Sequence, residues 1–519
     1  MARIRERWGS KLGIILAVAG SAVGLGNFLR FPSQAAQNGG GAFMIPYLIA
    51  LILIGIPLMW AEWTAGRFGG VRGHSSAPGI FQSLWPKNGA IKYIGVAGIM
   101  GPFLIYIYYV YIESWCLAYA YYSLVGKLDF SSAEAYVGFL QWYQGVGGEG
   151  LAGSAPGFIF FLITFAINIS VAYFGIRGGI EKMCNIALPT LFFFAVVIAI
   201  RVLTLDAPPG APADQNAIGG LGFLWNPDLT ALKSPKVWLA AAGQIFFTLS
   251  VGMGVILTYA SYLRQKDDVA LSGLTAASTN EFAEIVLGGS IVIPAAFVFF
   301  GAVNLPSVAA SGTFNLGFVT MPQIFAGVPG GFIYGFMWFF MLFLAGITSS
   351  ISLAQPMVAF MEDEFKMTRQ KAVPIFAIVS FILCQPAIWF LSKGVLDDLD
   401  FWGGTFFIVI GATFEIILLG WVFGIDKTWK ELHQGAHMRV PRIFKFVIKY
   451  ISSTLLLAML GWWFYDQWWD VITMRGIADD NMPYVLGMRL VLLGILVVLL
   501  ILIGIAFNRK RNNTNEARS

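Results

Sequence analysis

The chain has 519 residues, of which 57% are hydrophobic and only 12% charged, and a formal net charge of +5. Soluble domains carry roughly twice that charged fraction, so a water-soluble globular protein is excluded and an all-α polytopic protein of the lipid bilayer is expected. The positive charge is a topology signal and gives no ground for a nucleic-acid partner.

Twelve apolar stretches of bilayer-spanning length follow one another, at 12–37, 41–66, 94–124, 157–176, 185–204, 237–262, 271–303, 332–360, 373–391, 401–424, 444–465 and 484–507. They make one transmembrane domain across 1–519, between tails at 1–11 and 508–519. Helices 1–5 fill 12–204, helices 6–10 fill 237–424 and helices 11–12 fill 444–507. The first stretch is not a cleavable signal, since it holds Asn27 and Arg30 and lacks a small-residue cleavage site.

That first stretch reads Gly20-Ser21-Ala22-Val23-Gly24-Leu25-Gly26-Asn27. Its glycine pair predicts an interruption near 22–26, and unwound backbone at membrane depth must find partners other than lipid. Freed carbonyls of Gly20, Ala22 and Val23 suit Na⁺, while freed amides of Leu25 and Gly26 favour a carboxylate. Arg30 is expected to face water or a partner, because a cation in a span costs about 2.5–3.5 kcal/mol on insertion scales. Close helix packing explains the glycines of one such stretch equally well.

Farther on, the Gly-rich run 145–150 has no preceding strand and reads as an outside linker. The sixth stretch then repeats the glycine pattern. Val251-Gly252-Met253-Gly254 matches Val23-Gly24-Leu25-Gly26 at a distance of 228 residues. Two matching breaks predict a transporter of two repeats with its binding site between them. Thr248 and Ser250 add hydroxyls there, and Phe247 and Met253 add apolar wall. In the seventh stretch Asn280, Glu281 and Glu284 lie within little more than one turn, and carboxylates at that depth are functional suspects. The uncharged segment 304–331, with Pro306, Pro322 and Pro329, is expected to fold back over a cavity or to pack as a re-entrant segment. The eighth stretch carries Ala345, Thr348, Ser349 and Ser350, which could close a cation site or bond back to their own helix.

With the N-terminus inside, 25 of the 33 Lys and Arg fall on the cytoplasmic side, which places both termini in the cytoplasm of a multi-pass cell-membrane protein. Cys116, Cys184 and Cys384 are too scattered for a disulfide framework. His433 and His437 lack the Glu of a zinc-protease helix and read as loop residues. No nucleophile, base and orienter constellation occurs, so an enzyme is not expected.

Several longer motifs carry a family resemblance. They are Gly-Leu-Gly-Asn-Phe-Leu-Arg-Phe-Pro at 24–32, Asn-Gly-Gly-Gly-Ala-Phe at 38–43 and Ile-Tyr-Tyr-Val-Tyr-Ile-Glu-Ser-Trp at 107–115. Gly-Gln-Ile-Phe-Phe-Thr-Leu-Ser at 243–250 and Thr-Ser-Ser at 348–350 complete the set. In these the chain resembles the neurotransmitter:sodium symporters, most closely their bacterial leucine-transporter branch, from about residue 8 to 507.

The resemblance implies a 5+5 inverted repeat with discontinuous helices 1 and 6 and two peripheral helices. It implies two Na⁺ ions, the first held by Ala22, Asn27, Thr248 and Asn280 with the substrate carboxylate. The second would be held by Gly20, Val23, Ala345, Thr348 and Ser349. Substrate carboxylate would meet Leu25, Gly26 and Tyr109, and its ammonium Ala22, Phe247, Thr248 and Ser250. Tyr109 and Phe247 would form the outer lid beneath an Arg30–Asp400 pair. Arg5 with Asp363, aided by Trp8, Ser261, Tyr262 and Gln355, would close the cytoplasmic side.

Gly24 leaves a gap where amine-transporting relatives carry an Asp, which favours a substrate bringing its own carboxylate. Ile105, Tyr109, Phe247, Met253, Ser349 and Leu353 would form an uncharged wall. The expectation is a sodium-coupled symporter of a neutral, hydrophobic α-amino acid, leucine-like and with room for aromatic ones, working by alternating access. Glu284 stands where chloride-dependent relatives are neutral, so no chloride is expected. A carrier of another small zwitterion and an amino-acid-binding transceptor are the alternatives, and a homodimer is the assembly considered.

Overall fold

The computed structural model describes residues 6–146 and 152–516, with side chains as far as residue 508. Among these residues there is no sheet, only one isolated bridge between Gly40 and Pro227. Among the described residues ten helices are long and apolar enough to cross a bilayer: Gly41–Val71, Ile91–Leu124, Ala155–Tyr173, Ile176–Leu203, Val269–Ala310, Gly331–Glu364, Arg369–Trp389, Val395–Val422, Ile443–Asp466 and Met482–Asn508. An eleventh crossing is the bent pair Lys11–Ala22 and Gly26–Gln37, which turns by 47° at its break. The remaining expected crossing, the sixth, consists of Pro235–Thr248 and Val255–Ser261, each too short to span alone.

Burial sorts these crossings into a centre and a rim. The third and eighth (Ile91–Leu124 and Gly331–Glu364) have 89% and 83% of their apolar windows buried, against 28% and 22% for the last two. The last two therefore face lipid, whereas the third and eighth are walled by protein and can carry polar groups. The inner half of the sixth crossing lies directly on the second, whose Gly66 would meet Ala260 Cβ at 2.8 Å if it bore a side chain. Close packing through a small residue holds this short half-helix where lipid contact alone would not.

The segment 304–331 folds back, as one of its two readings predicts. The helix Gly289–Ala310 bends at Gly301 (φ 74°), and short helical turns then bring Phe314 and Phe318 edge-on to Trp115 at 5.6 and 5.7 Å. Both interruptions of the broken crossings are buried, at the glycine pairs.

Candidate functional site

In the first crossing the helix ends at Ala22, and Val23 is extended (φ −72°, ψ 91°). Several of the polar groups around the break have named partners. The Gly24 N–H donates to Asn27 Oδ1 at 2.8 Å and the Leu25 N–H to the Tyr109 hydroxyl at 3.2 Å. The Ser21 carbonyl accepts from Ser250 Oγ at 3.1 Å and from Ser349 Oγ at 3.2 Å, and the Gly20 carbonyl from Ser349 Oγ at 3.4 Å. Gly24 and Gly26 are not in a left-handed conformation; they permit close approach instead. A Cβ on Gly24 would stand 2.8 Å from Ser349 Oγ and 3.1 Å from the Tyr109 hydroxyl, so the gap expected there is taken up by two hydroxyls.

The second break, 249–254, is longer and left-handed, with positive φ at Ser250 (53°), Gly252 (79°) and Gly254 (76°). Its Gly252 N–H donates to Glu62 Oε1 at 2.5 Å, and Gly254 lies against the backbone of Gly98. Phe247, on the half-helix before it, lies 2.7 Å from where a Gly26 Cβ would be.

Between the two breaks three oxygens converge. Asn280 Oδ1 lies 3.1 Å from the Ala22 carbonyl oxygen and 3.3 Å from that of Thr248. Asn280 Nδ2 donates to Thr248 Oγ1 at 2.9 Å, and that hydroxyl donates to Glu284. Acceptors facing acceptors repel unless a cation sits among them or the amide turns round to donate. Three oxygens of this kind could hold a hard cation. Asn27 turns Nδ2 to Asn280 Oδ1 at 2.8 Å and keeps Oδ1 on Gly24, so its oxygen reaches a cation only if this amide rotates.

A second oxygen cluster joins the first and eighth crossings. Thr348 Oγ1 donates to the carbonyls of Leu344 and Ala345, both at 3.1 Å, while Ser349 reaches across to Gly20. Thr348 thus bonds back within its own helix, and Ser349 does not. Val23, the remaining residue of this expected set, is wholly buried beside it at the break.

Glu284 is wholly buried and accepts from Tyr47 at 2.9 Å, from Gln244 at 3.0 Å and from Thr248. Tyr47 also donates within 2.7 Å of Glu281, so both carboxylates share its hydroxyl. This carboxylate stands one hydrogen bond from the three-oxygen cluster.

Above the breaks is a cavity of about 180 Å³ lined by Leu25, Gly26, Tyr109, Phe247, Arg30 and Asp400, with Thr313 and Phe314 of the folded-back segment also on its wall. Arg30 lies over the Phe247 ring, 4.4 Å from its centre. The expected Arg30–Asp400 ion pair is not formed among the described residues; Asp400 accepts from the Tyr108 hydroxyl at 2.5 Å instead. Tyr108 sits one residue from the lid and reaches the carboxylate first, so the two charges face each other across open space. Ile105, Met253, Ser349 and Leu353 are buried and do not line this cavity.

On the cytoplasmic side Trp8 donates to the Tyr259 carbonyl at 2.9 Å and packs edge-on to its ring. Gln355 donates to the Tyr262 hydroxyl at 2.8 Å, and Ser261 Oγ to the Thr258 carbonyl at 2.6 Å. Asp363 is at the inner end of the eighth crossing; Arg5 lies outside the described residues. Arg369, one of the 25 basic residues counted on the cytoplasmic side, is more than a topology charge. It is buried, donates to Gln355 Oε1 at 2.8 Å and to the Ala172 carbonyl at 2.6 Å, and lies 3.4 Å from both Glu6 and Glu362. The acidic run Glu362-Asp363-Glu364 seven residues earlier was the available signal. Three intramembrane acids were missed as well: Glu62, Glu415, and Glu113, which accepts from Asn168 at 3.1 Å.

The sequence profile of the sodium:neurotransmitter symporter family matches residues 5–140 and 155–509. The chain is 33% identical to a sodium-dependent transporter of Methanocaldococcus jannaschii over 88% of this chain and 90% of that one. It is 27% identical to the sodium-dependent serotonin transporter of Drosophila melanogaster, covering 88% and 76%. Among solved structures it is similar to MhsT in complex with L-phenylalanine, with a TM-score of 0.76, 30% identity, and 88% and 99% of the two chains covered.

Proposed function

The chain belongs to the sodium:neurotransmitter symporter family, a family of sodium-dependent membrane transporters, and on that premise we propose that it imports a neutral, hydrophobic α-amino acid together with two Na⁺ ions by alternating access. The observation that carries this is the meeting of the breaks. Leu25, Gly26 and Tyr109 line one cavity, and the Ala22, Thr248 and Asn280 oxygens converge beside the same short segment. A carboxylate received by the former can complete the cation shell of the latter, so each ligand strengthens the other. Ile105, Phe247, Met253 and Leu353 carry no charge, so a substrate site that opens among them takes an apolar side chain, and the phenylalanine held by MhsT supports that class.

The second ion is assigned to Gly20, Val23, Ala345, Thr348 and Ser349. Ser250 and Thr248 receive the ammonium, Tyr109 and Phe247 form the lid with Arg30 and Asp400 above it, and Trp8, Ser261, Tyr262, Gln355, Asp363 and Arg5 make the inner gate. Two sodium ions with a zwitterion move two charges, which supplies about 4.6 kcal/mol per 100 mV. That exceeds a thousandfold accumulation at about 1.4 kcal/mol per tenfold. Glu284 provides the negative charge beside the first ion, so uptake needs no chloride, and equal rates in chloride and gluconate are expected.

The test is uptake into proteoliposomes under an imposed sodium gradient, with labelled leucine competed by each of the twenty amino acids. Displacement by leucine, isoleucine, valine, methionine or phenylalanine is expected. Exclusive displacement by glycine or a charged amino acid would overturn the assignment.

A further inference from the structure

Arg489 is the only charged residue between 482 and 508, in a crossing that otherwise faces lipid. A guanidinium there needs a partner that offsets its burial. That partner is Asp398, near the start of the tenth crossing. Arg489 Nε donates to the two carboxylate oxygens at 3.0 and 3.2 Å, and Nη2 donates to one of them at 2.6 Å. Nη1 donates to the Val471 carbonyl at 2.6 Å, and the guanidinium lies 5.6 Å from the centre of the Trp402 ring. The pair is nearly dry, with side chains 16% and 6% exposed, and forms part of the wall of a second cavity of about 600 Å³. The other cations of that wall are engaged elsewhere: Arg475 lies 3.0 Å from Asp470, and Lys393 lies over the Tyr484 ring.

Asp398 belongs to the short helix Val395–Asp400, which also carries Asp397 and Asp400. Residues two apart on a helix point about 200° apart. Asp398 therefore faces the twelfth crossing, and Asp400 faces the gate cavity, where it accepts from Tyr108 at 2.5 Å. Leu396 and Asp397 line the gate cavity as well, and Asp397 also lines the second one, so a single turn of helix divides the two. The α-helical register of that turn is interrupted on both sides. Gly394 before it is left-handed (φ 76°), and Phe401–Phe406 after it is a wider π-helical stretch. Three carboxylates within four residues also repel one another. The rotation of the turn is thus set by what holds its two faces, and on the outer face that is Arg489.

We propose that Arg489 is a positioning residue of the outer gate: from the peripheral twelfth crossing it holds the turn Val395–Asp400 through Asp398, so that Asp400 stays on Tyr108 and faces Arg30 across the cavity. Release of the turn lets Asp400 swing away and lets a bound amino acid escape outward. The effect on uptake rests on the transport reading above; the hold on the turn does not.

The test uses the full-length protein in proteoliposomes. Leu396→Cys places a thiol on the turn at a buried position of the gate cavity, and the natural cysteines are buried. Its labelling by a membrane-impermeant maleimide is expected to quicken about tenfold when Arg489→Met and Asp398→Asn are added together, a combination that leaves no lone charge behind. Arg489→Lys, which keeps the charge and loses the two-pronged hold, is expected to give a smaller increase. An unchanged labelling rate in both overturns the proposal whether or not any amino acid is transported. With labelled leucine, Arg489→Lys is expected to raise the external KM about fivefold at unchanged Vmax, and that increase is expected to vanish in an Asp400→Asn background, through which Arg489 acts. An increase that persists in Asp400→Asn overturns the action through the gate. Failure of the wild type to take up leucine counts against the transport reading, and labelling alone then decides the role of Arg489.

Discussion

The two broken crossings answer the same problem with different chemistry. In the first, a single extended residue is enough, and the freed backbone is bonded to side-chain hydroxyls of Tyr109, Ser250 and Ser349 and to the Asn27 amide. In the second, three left-handed residues are propped by other backbone, at Gly98, and by the carboxyl of Glu62. Hydroxyls rotate and can exchange a carbonyl for an ion or a carboxylate, whereas a backbone contact cannot. On the proposed reading the first break binds and the second keeps the shape of the site.

That contrast is broken most directly at the glycines. Gly254→Ala puts a side chain at φ 76° and 2.7 Å from Gly98 Cα. It is expected to cost on the order of 3 kcal/mol, read as lost folded protein in fluorescence-detected thermal unfolding. Gly24→Ala meets only hydroxyl tips at an ordinary φ and is expected to fold with weakened amino-acid binding. Equal unfolding of both variants would erase the distinction.

Next in size is Asn280→Leu, which removes one of the three converging oxygens. Sodium and amino-acid affinity should fall together by about tenfold to a hundredfold, measured by binding of labelled amino acid over a sodium titration. Loss of one affinity alone would separate the two ligands. Tyr109→Phe deletes the acceptor of the Leu25 amide and should weaken amino-acid binding about fivefold, for about 1 kcal/mol, in the same binding assay. Smallest is Ser352→Ala, which removes the 2.7 Å contact with Ser21 Oγ beside the first break. It should lower stability by about 0.5–1 kcal/mol and leave sodium affinity unchanged, as thermal unfolding and the same sodium titration would show.

Much of the fold was legible in one dimension. Twelve apolar stretches correspond to ten whole crossings and two broken ones, and the repeated glycine pair marked both breaks, because length, apolarity and missing Cβ atoms are local properties. Thr248, Asn280 and Glu284 were singled out because polar groups at membrane depth are costly wherever they point. The role of the glycines differed between copies: the first pair clears space, and only the second needs positive φ.

Partnership is what the sequence by itself did not determine. That Glu62 meets Gly252, that Arg369 joins Glu6, and that Asp400 takes Tyr108 in place of Arg30 are matters of distance between segments far apart along the chain. A polar residue in a bilayer announces by its cost that it has a partner. Which partner it has depends on helix rotation and close packing, and those were decided only when all the crossings came together.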